Sequence, residues 1–119
     1  AVTILTSHTP ESLSKELNIS KPLQDQVLHL ASLTHQAGLD GVVCSAKEAA
    51  VLREKLGKDF LLVTPGIRLE SDNHADQKRV ATPQEAFLAG SDYIVMGRSI
   101  MNAKNPAQVL YDLKNDHRI

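Results

Sequence analysis

Four nearly continuous apolar runs divide the chain: Val2-Thr3-Ile4-Leu5, Gly41-Val42-Val43-Cys44, Phe60-Leu61-Leu62-Val63 and Tyr93-Ile94-Val95-Met96. Each is too short for a helix, and at least half of its residues are Val, Ile or Leu. Consecutive apolar positions, rather than alternating ones, are what strands buried on both faces require. Between the runs lie segments with helical patterning. This alternation predicts β-α-β-α-β-α-β-α, an α/β chain with a parallel sheet and right-handed crossovers. Four such units suit half of an eight-stranded β/α barrel. They also suit a small open doubly wound sheet.

The helix boundaries are marked. Thr9-Pro10 and Asn105-Pro106 each set a capping residue before a proline at the first helical position. Thr82-Pro83-Gln84-Glu85 and Ser45-Ala46-Lys47-Glu48 are capping boxes, in which the Glu reaches back to the capping residue's N–H. Gly38, Gly57 and Gly90 each close a helical stretch. The longest helix is predicted over residues 22–37, with Leu23, Val27, Leu30, Ala31 and Thr34 on one face. A last helix over 106–115 should bury Val109, Leu110 and Leu113. One long polar loop runs from Gly66 to Ala81, a length that compact domains usually keep for function.

At 119 residues the chain makes one domain, 1–119. A formal net charge of −1 provides no basic field for nucleic acid, and 3% aromatic residues provide few platforms for stacking bases. No run has the length of a membrane-spanning helix, and no membrane partner is expected. The opening residues have no basic flank of the kind a signal peptide carries. The single cysteine, Cys44, has no internal disulfide partner, which fits a reducing cytoplasm. The chain begins with Ala1, directly inside an apolar run, and so reads either as a trimmed terminus or as a fragment.

The stretch from Val63 to Arg98 carries the chemistry. Two strand-like runs in it each end in a Gly and an Arg: Pro65-Gly66-Ile67-Arg68 and Gly97-Arg98. Backbone N–H groups and guanidinium forks at strand ends are what an α/β protein uses to hold a phosphate. Gly97 lets the backbone approach an anion, and Arg98 supplies a bidentate fork. Arg68 is weak evidence alone and gains weight from its twin on the next strand. Thr6, with Ser7, follows the first run and either hydrogen-bonds a polar ligand or caps the next helix. Gln77, in Asp76-Gln77-Lys78-Arg79, either closes over a ligand or belongs to a solvated charged loop, and residue type alone favours the loop.

Other chemistry is sparse. No two of His8, His29, His35, His74 and His117 stand four apart, and there is no Cys-x-x-Cys, so no metal site is expected. Cys44 reads as a small buried apolar residue. Asp40, Asp59 and Asp92 precede strands and read as turn and capping residues. No residue in the chain reads as a catalytic acid, nucleophile or Lys–Asp array, so no catalytic residue is assigned.

At Val63 to Arg68, Asp76 to Arg79 and Asp92 to Arg98 the sequence resembles the orotidine 5′-phosphate decarboxylase family, of the bacterial type. The likeness extends to Val2-Thr3-Ile4-Leu5-Thr6-Ser7 and to the stretch from Gly38 to Ser45. It covers nearly the whole chain, but only the C-terminal half of that family's barrel, the last four β/α units. The N-terminal half is accordingly expected to be absent.

The resemblance implies a (β/α)8 barrel that converts orotidine 5′-monophosphate to uridine 5′-monophosphate (UMP) and carbon dioxide in pyrimidine biosynthesis. It implies a homodimer in the cytoplasm, with no metal and no organic cofactor. Thr6 resembles the family's hydroxyl contact to the nucleotide. Arg68 and Gln77 resemble its closing-loop residues, and Gly97 with Arg98 its phosphate grip. The family's proton donor lies in an Asp-x-Lys-x-x-Asp segment, and the present chain contains none. The chain alone is therefore expected to hold substrate without turning it over. Two other readings remain: a related sugar-phosphate decarboxylase barrel, and a non-enzymatic half barrel that binds phosphorylated ligands.

Overall fold

The computed structural model describes residues 1–69 and 79–116. Its sheet has three parallel strands, β1 (Gly41–Val43), β2 (Leu61–Thr64) and β3 (Tyr93–Ile94), ordered in space as in the chain. The register pairs Val43 with Val63 and Val63 with Tyr93. The first apolar run contributes less than a full strand. It makes a single parallel bridge, Val2 to Val43, closed by Thr3 N–H to Val43 C=O at 3.1 Å and Val43 N–H to Ala1 C=O at 2.7 Å.

The helices begin where their caps predict. Helix α1 (Pro10–Lys15) is capped by Thr9, α3 (Ala46–Leu56) by Ser45 and α4 (Pro83–Leu88) by Thr82, each through a capping box. Helix α2 (Leu23–Gln36) is the long one, with Val27 and Ala31 fully buried. Gly38, Gly57 and Gly90 all have positive φ, as the stop signals require. A short helix that the sequence pattern does not announce, α5 (Arg98–Met101), comes after β3.

The last helix, α6 (Pro106–Asn115), corrects an expectation. It starts at its Asn105 cap but buries no residue, and Leu110 is 53% exposed. Its largest contact is with the single turn of α5, which is too small to cover an apolar face.

Burial along the strands separates the two expected architectures. Val42 and Leu62 point into the core made with α2 and α3, together with Ile4, Leu13, Ala49 and Leu52, and Thr64 is buried beside Ser91. The opposite face, carrying Leu61, Tyr93 and Val95, is exposed. The shortest dimension is 18 Å, enough for one sheet and one helix layer. A doubly wound sheet has helices on both faces and a reversal of strand order. One helix layer on strands in chain order is the β/α-barrel arrangement. The continuously apolar runs had implied burial on both faces, and the described residues cover only one of them.

Candidate functional site

Parallel strands put all their C-terminal ends along one edge, and Thr6, Gly66, Arg68, Gly97 and Arg98 each follow a strand or the bridged first run. Thr6 is 8% exposed and lies against Gly66. Gly66 has φ 79°, and a Cβ there would sit 3.3 Å from Thr6 Cγ2 and 3.0 Å from the Arg79 carbonyl oxygen. Only glycine takes this turn without strain and leaves room for both neighbours. By sequence Thr6 is either a ligand contact or a helix cap. The cap is Thr9, whose Oγ1 accepts from Ser12 N–H at 3.2 Å.

The two ends of the long loop are stitched together. Arg68 N–H donates to Ala81 C=O at 3.0 Å, and Ala81 N–H donates to Gly66 C=O at 3.2 Å. Arg68 is 7% exposed, and its Nη1 reaches the Ile67 carbonyl at 3.5 Å, a long contact. Ile67 is fully buried with Ala46 and Ala86, which anchors this strand exit to α3 and α4.

Beneath the stitch lies an ion pair. Arg79 Nη2 donates to Glu48 Oε2, and both side chains are more than nine-tenths buried. The same carboxylate oxygen accepts the Ser45 N–H at 3.1 Å, completing the cap of α3. Burial pushes the Glu48 carboxyl above its ordinary value, against the opposing pull of Arg79 and the Ser45 N–H. Burial and the neighbouring Glu48 push the Cys44 thiol up to about 12, and Cys44 is the small buried residue the sequence predicts.

Neither Glu48 nor Arg79 stood out in the sequence. Glu48 was legible as a capping residue, and capping carboxylates are ordinarily solvated. Arg79 belonged to a loop that reads as charged and solvated. Nothing in a linear pattern joins residues 31 positions apart.

On the neighbouring strand, Gly97 is the N-cap of α5 and Arg98 its first residue. A Cβ at Gly97 would meet nothing within 4 Å, so the backbone there is open to approach. The side chain of Arg98 is exposed. Gln77 lies outside the described residues. An open hollow of about 300 Å³ sits against the first residues of β1 and β2, lined by Leu39, Gly41 and Leu61 among others. Val43 and Val63 line it as well, so it extends along the uncovered sheet face, and neither Thr6 nor Arg68 lines it. Among the described residues no three His, Cys, Asp or Glu side chains are placed to share a metal ion, and no helix is long and apolar enough to cross a membrane.

A family model described as orotidine 5′-phosphate decarboxylase / HUMPS family matches residues 1–113. The chain belongs to the orotidine 5′-phosphate decarboxylase / HUMPS family. Its relatives in that family include the orotidine 5′-phosphate decarboxylase of Pseudoalteromonas atlantica, 57% identical over 110 residues, covering 92% of this chain and 47% of the relative. The orotidine 5′-phosphate decarboxylase of Neisseria meningitidis is 52% identical over 113 residues, covering 94% of this chain and 46% of its own length. Among solved structures, the orotidine 5′-phosphate decarboxylase of Lactobacillus acidophilus superposes with a TM-score of 0.78 at 42% identity, covering 95% of this chain and 46% of that one. The chain thus spans about half the length of the curated decarboxylases it matches. The likeness to that solved decarboxylase agrees with the β/α-barrel reading of the three-stranded, singly covered sheet.

Proposed function

We propose that this chain is the phosphate-holding portion of an orotidine 5′-monophosphate decarboxylase, the enzyme that yields UMP and carbon dioxide in pyrimidine biosynthesis. The observation that carries the reading is the family match over residues 1–113. The shared strand-end edge of Thr6, Arg68, Gly97 and Arg98 supports it. Arg68 and Arg98 grip the phosphate as guanidinium forks, and Gly97 lets the main chain come close. Thr6 hydrogen-bonds the nucleotide, and Gln77 joins it from the loop. A grip of this kind uses remote binding energy to place the reacting ring. The Lys that protonates the ring carbon belongs to the family's Asp-x-Lys-x-x-Asp segment, which must be supplied with this chain for turnover. Family likeness further supports a cytoplasmic homodimer that works with no metal or organic cofactor.

Carbon dioxide release from orotidine 5′-monophosphate tests the proposal, measured on this chain alone and with the N-terminal half of a relative added in trans. Activity is expected only in the mixture. An inactive but folded mixture would overturn the reading. Preference for ribulose phosphates over UMP in a binding assay would turn it toward a sugar-phosphate enzyme.

A further inference from the structure

The buried Glu48–Arg79 pair is costly as a stability device. Two charges lose their hydration on entering the interior, and the loss is offset only where all their hydrogen-bonding groups find partners. Here Arg79 Nη1 is buried without a hydrogen-bond partner among the described residues. A buried, incompletely satisfied charge in a native fold asks for an explanation other than stability.

The geometry around the pair offers one. Arg79 stands two residues before Ala81, whose N–H and C=O hold Gly66 and Arg68. The Arg79 carbonyl packs at the near side of Gly66, where a Cβ would be only 3.0 Å away. At the other end of the pair, Glu48 is fixed to the start of α3 by the Ser45 N–H. The chain of contacts therefore runs from the first turn of α3, through a charge-assisted bond, to the backbone that sets the direction of Arg68.

We infer that Glu48 and Arg79 are positioning residues that hold the 79–81 backbone against the 66–68 strand exit and so aim the Arg68 guanidinium at the substrate phosphate. The inference rests on the proposed phosphate grip. The pair touches no ligand and acts through Arg68. The raised carboxyl of Glu48 is consistent with a group kept in a costly place for its connection.

The test uses this chain with UMP and, separately, uridine as probes, titrated by calorimetry. Glu48→Gln keeps an acceptor for the Ser45 N–H and removes the charge. The double variant Glu48→Gln with Arg79→Met removes the pair without leaving a lone buried charge. In a variant whose circular dichroism and melting match the parent's, UMP affinity is expected to fall about tenfold or more. Whatever binding uridine shows, having no phosphate, should be unchanged. Faster amide exchange at Arg68 and Ala81 should accompany the loss. If the parent binds UMP and a folded variant binds it equally well, the inference is overturned while the phosphate grip stands. If the parent itself does not bind UMP, the grip fails and the inference falls with it. Failure of both variants to fold would make the pair a folding determinant and overturn the positioning role.

Discussion

Arg53 Nη2 lies 2.7 Å from Asp92 Oδ2, and that same oxygen accepts the Leu62 N–H at 2.7 Å. The guanidinium also donates to the Gly90 carbonyl from Nη2 at 2.7 Å and from Nε at 3.2 Å. Its Nη1 reaches the Gly57, Lys58 and Phe60 carbonyls at 2.9, 3.0 and 2.8 Å. One side chain thus ties the end of α3, the turn after α4 and the starts of β2 and β3. All of this lies at the end of the strands away from the candidate site. Arg53→Met is expected to lower unfolding free energy by about 2–3 kcal/mol, since it leaves several carbonyls without donors. Urea denaturation checks it. Arg53→Lys should recover little, because an ammonium lacks the planar fork. Stability unchanged in Arg53→Met would show that water replaces these bonds without cost.

Two glycines should respond in opposite ways to an added methyl. A Cβ on Gly41 would fall 2.2 Å from the Leu61 carbonyl oxygen, inside the β1–β2 pairing. Gly41→Ala is therefore expected to cost more than about 3 kcal/mol or to prevent folding. Gly97 has open space where the methyl would go, so Gly97→Ala should melt within a few degrees of the parent. Its UMP affinity should nonetheless drop, because in the proposed grip the methyl would occupy the space the phosphate takes. Equal UMP affinity in Gly97→Ala would remove Gly97 from the grip.

Cys44 should resist alkylation. With its thiol pushed up to about 12 and its side chain 1% exposed, almost no accessible thiolate is present at pH 8. Iodoacetamide labelling followed by mass spectrometry should proceed at the rate of opening and accelerate in urea. Rapid labelling of the folded chain would contradict the burial.

Glu48 gives a pH signature. Its carboxyl is raised above the ordinary 4.5 by burial, so the folded chain binds this proton more tightly than the unfolded chain does. The stability from this group is fully present below about pH 4.5 and is lost as pH rises through the raised folded value. Denaturation curves from pH 4 to pH 8 should therefore show the parent losing stability relative to Glu48→Gln as pH rises. A relative gain over that window would mean that Arg79 outweighs burial.

The strands were legible as nearly continuous apolar runs, and four of the helices by the residue that caps each start. Thr9, Ser45, Thr82 and Asn105 all cap the helices they were expected to cap. The first run could not show that only Val2 would make a bridge, because residues 1–3 bond only the short edge of Gly41 and Val43. Helix α5 is a single turn with a glycine cap, too short for periodicity to register. In the candidate site, arginines beside glycines at strand ends could be read as local words. The contact of Thr6 with Gly66 and the bond from Arg79 to Glu48 join distant segments, and only packing makes them visible.

The order β1-β2-β3 in space repeats the order of synthesis. Each new strand pairs with the one made just before it, and the helix between them packs on the same side. No strand must wait for a later one to be inserted between itself and its neighbour. A chain emerging from the ribosome can therefore extend its sheet one unit at a time, with loop-closure costs limited to a single crossover per step. The lateral, sequential sheet is in that sense a schedule as well as a shape.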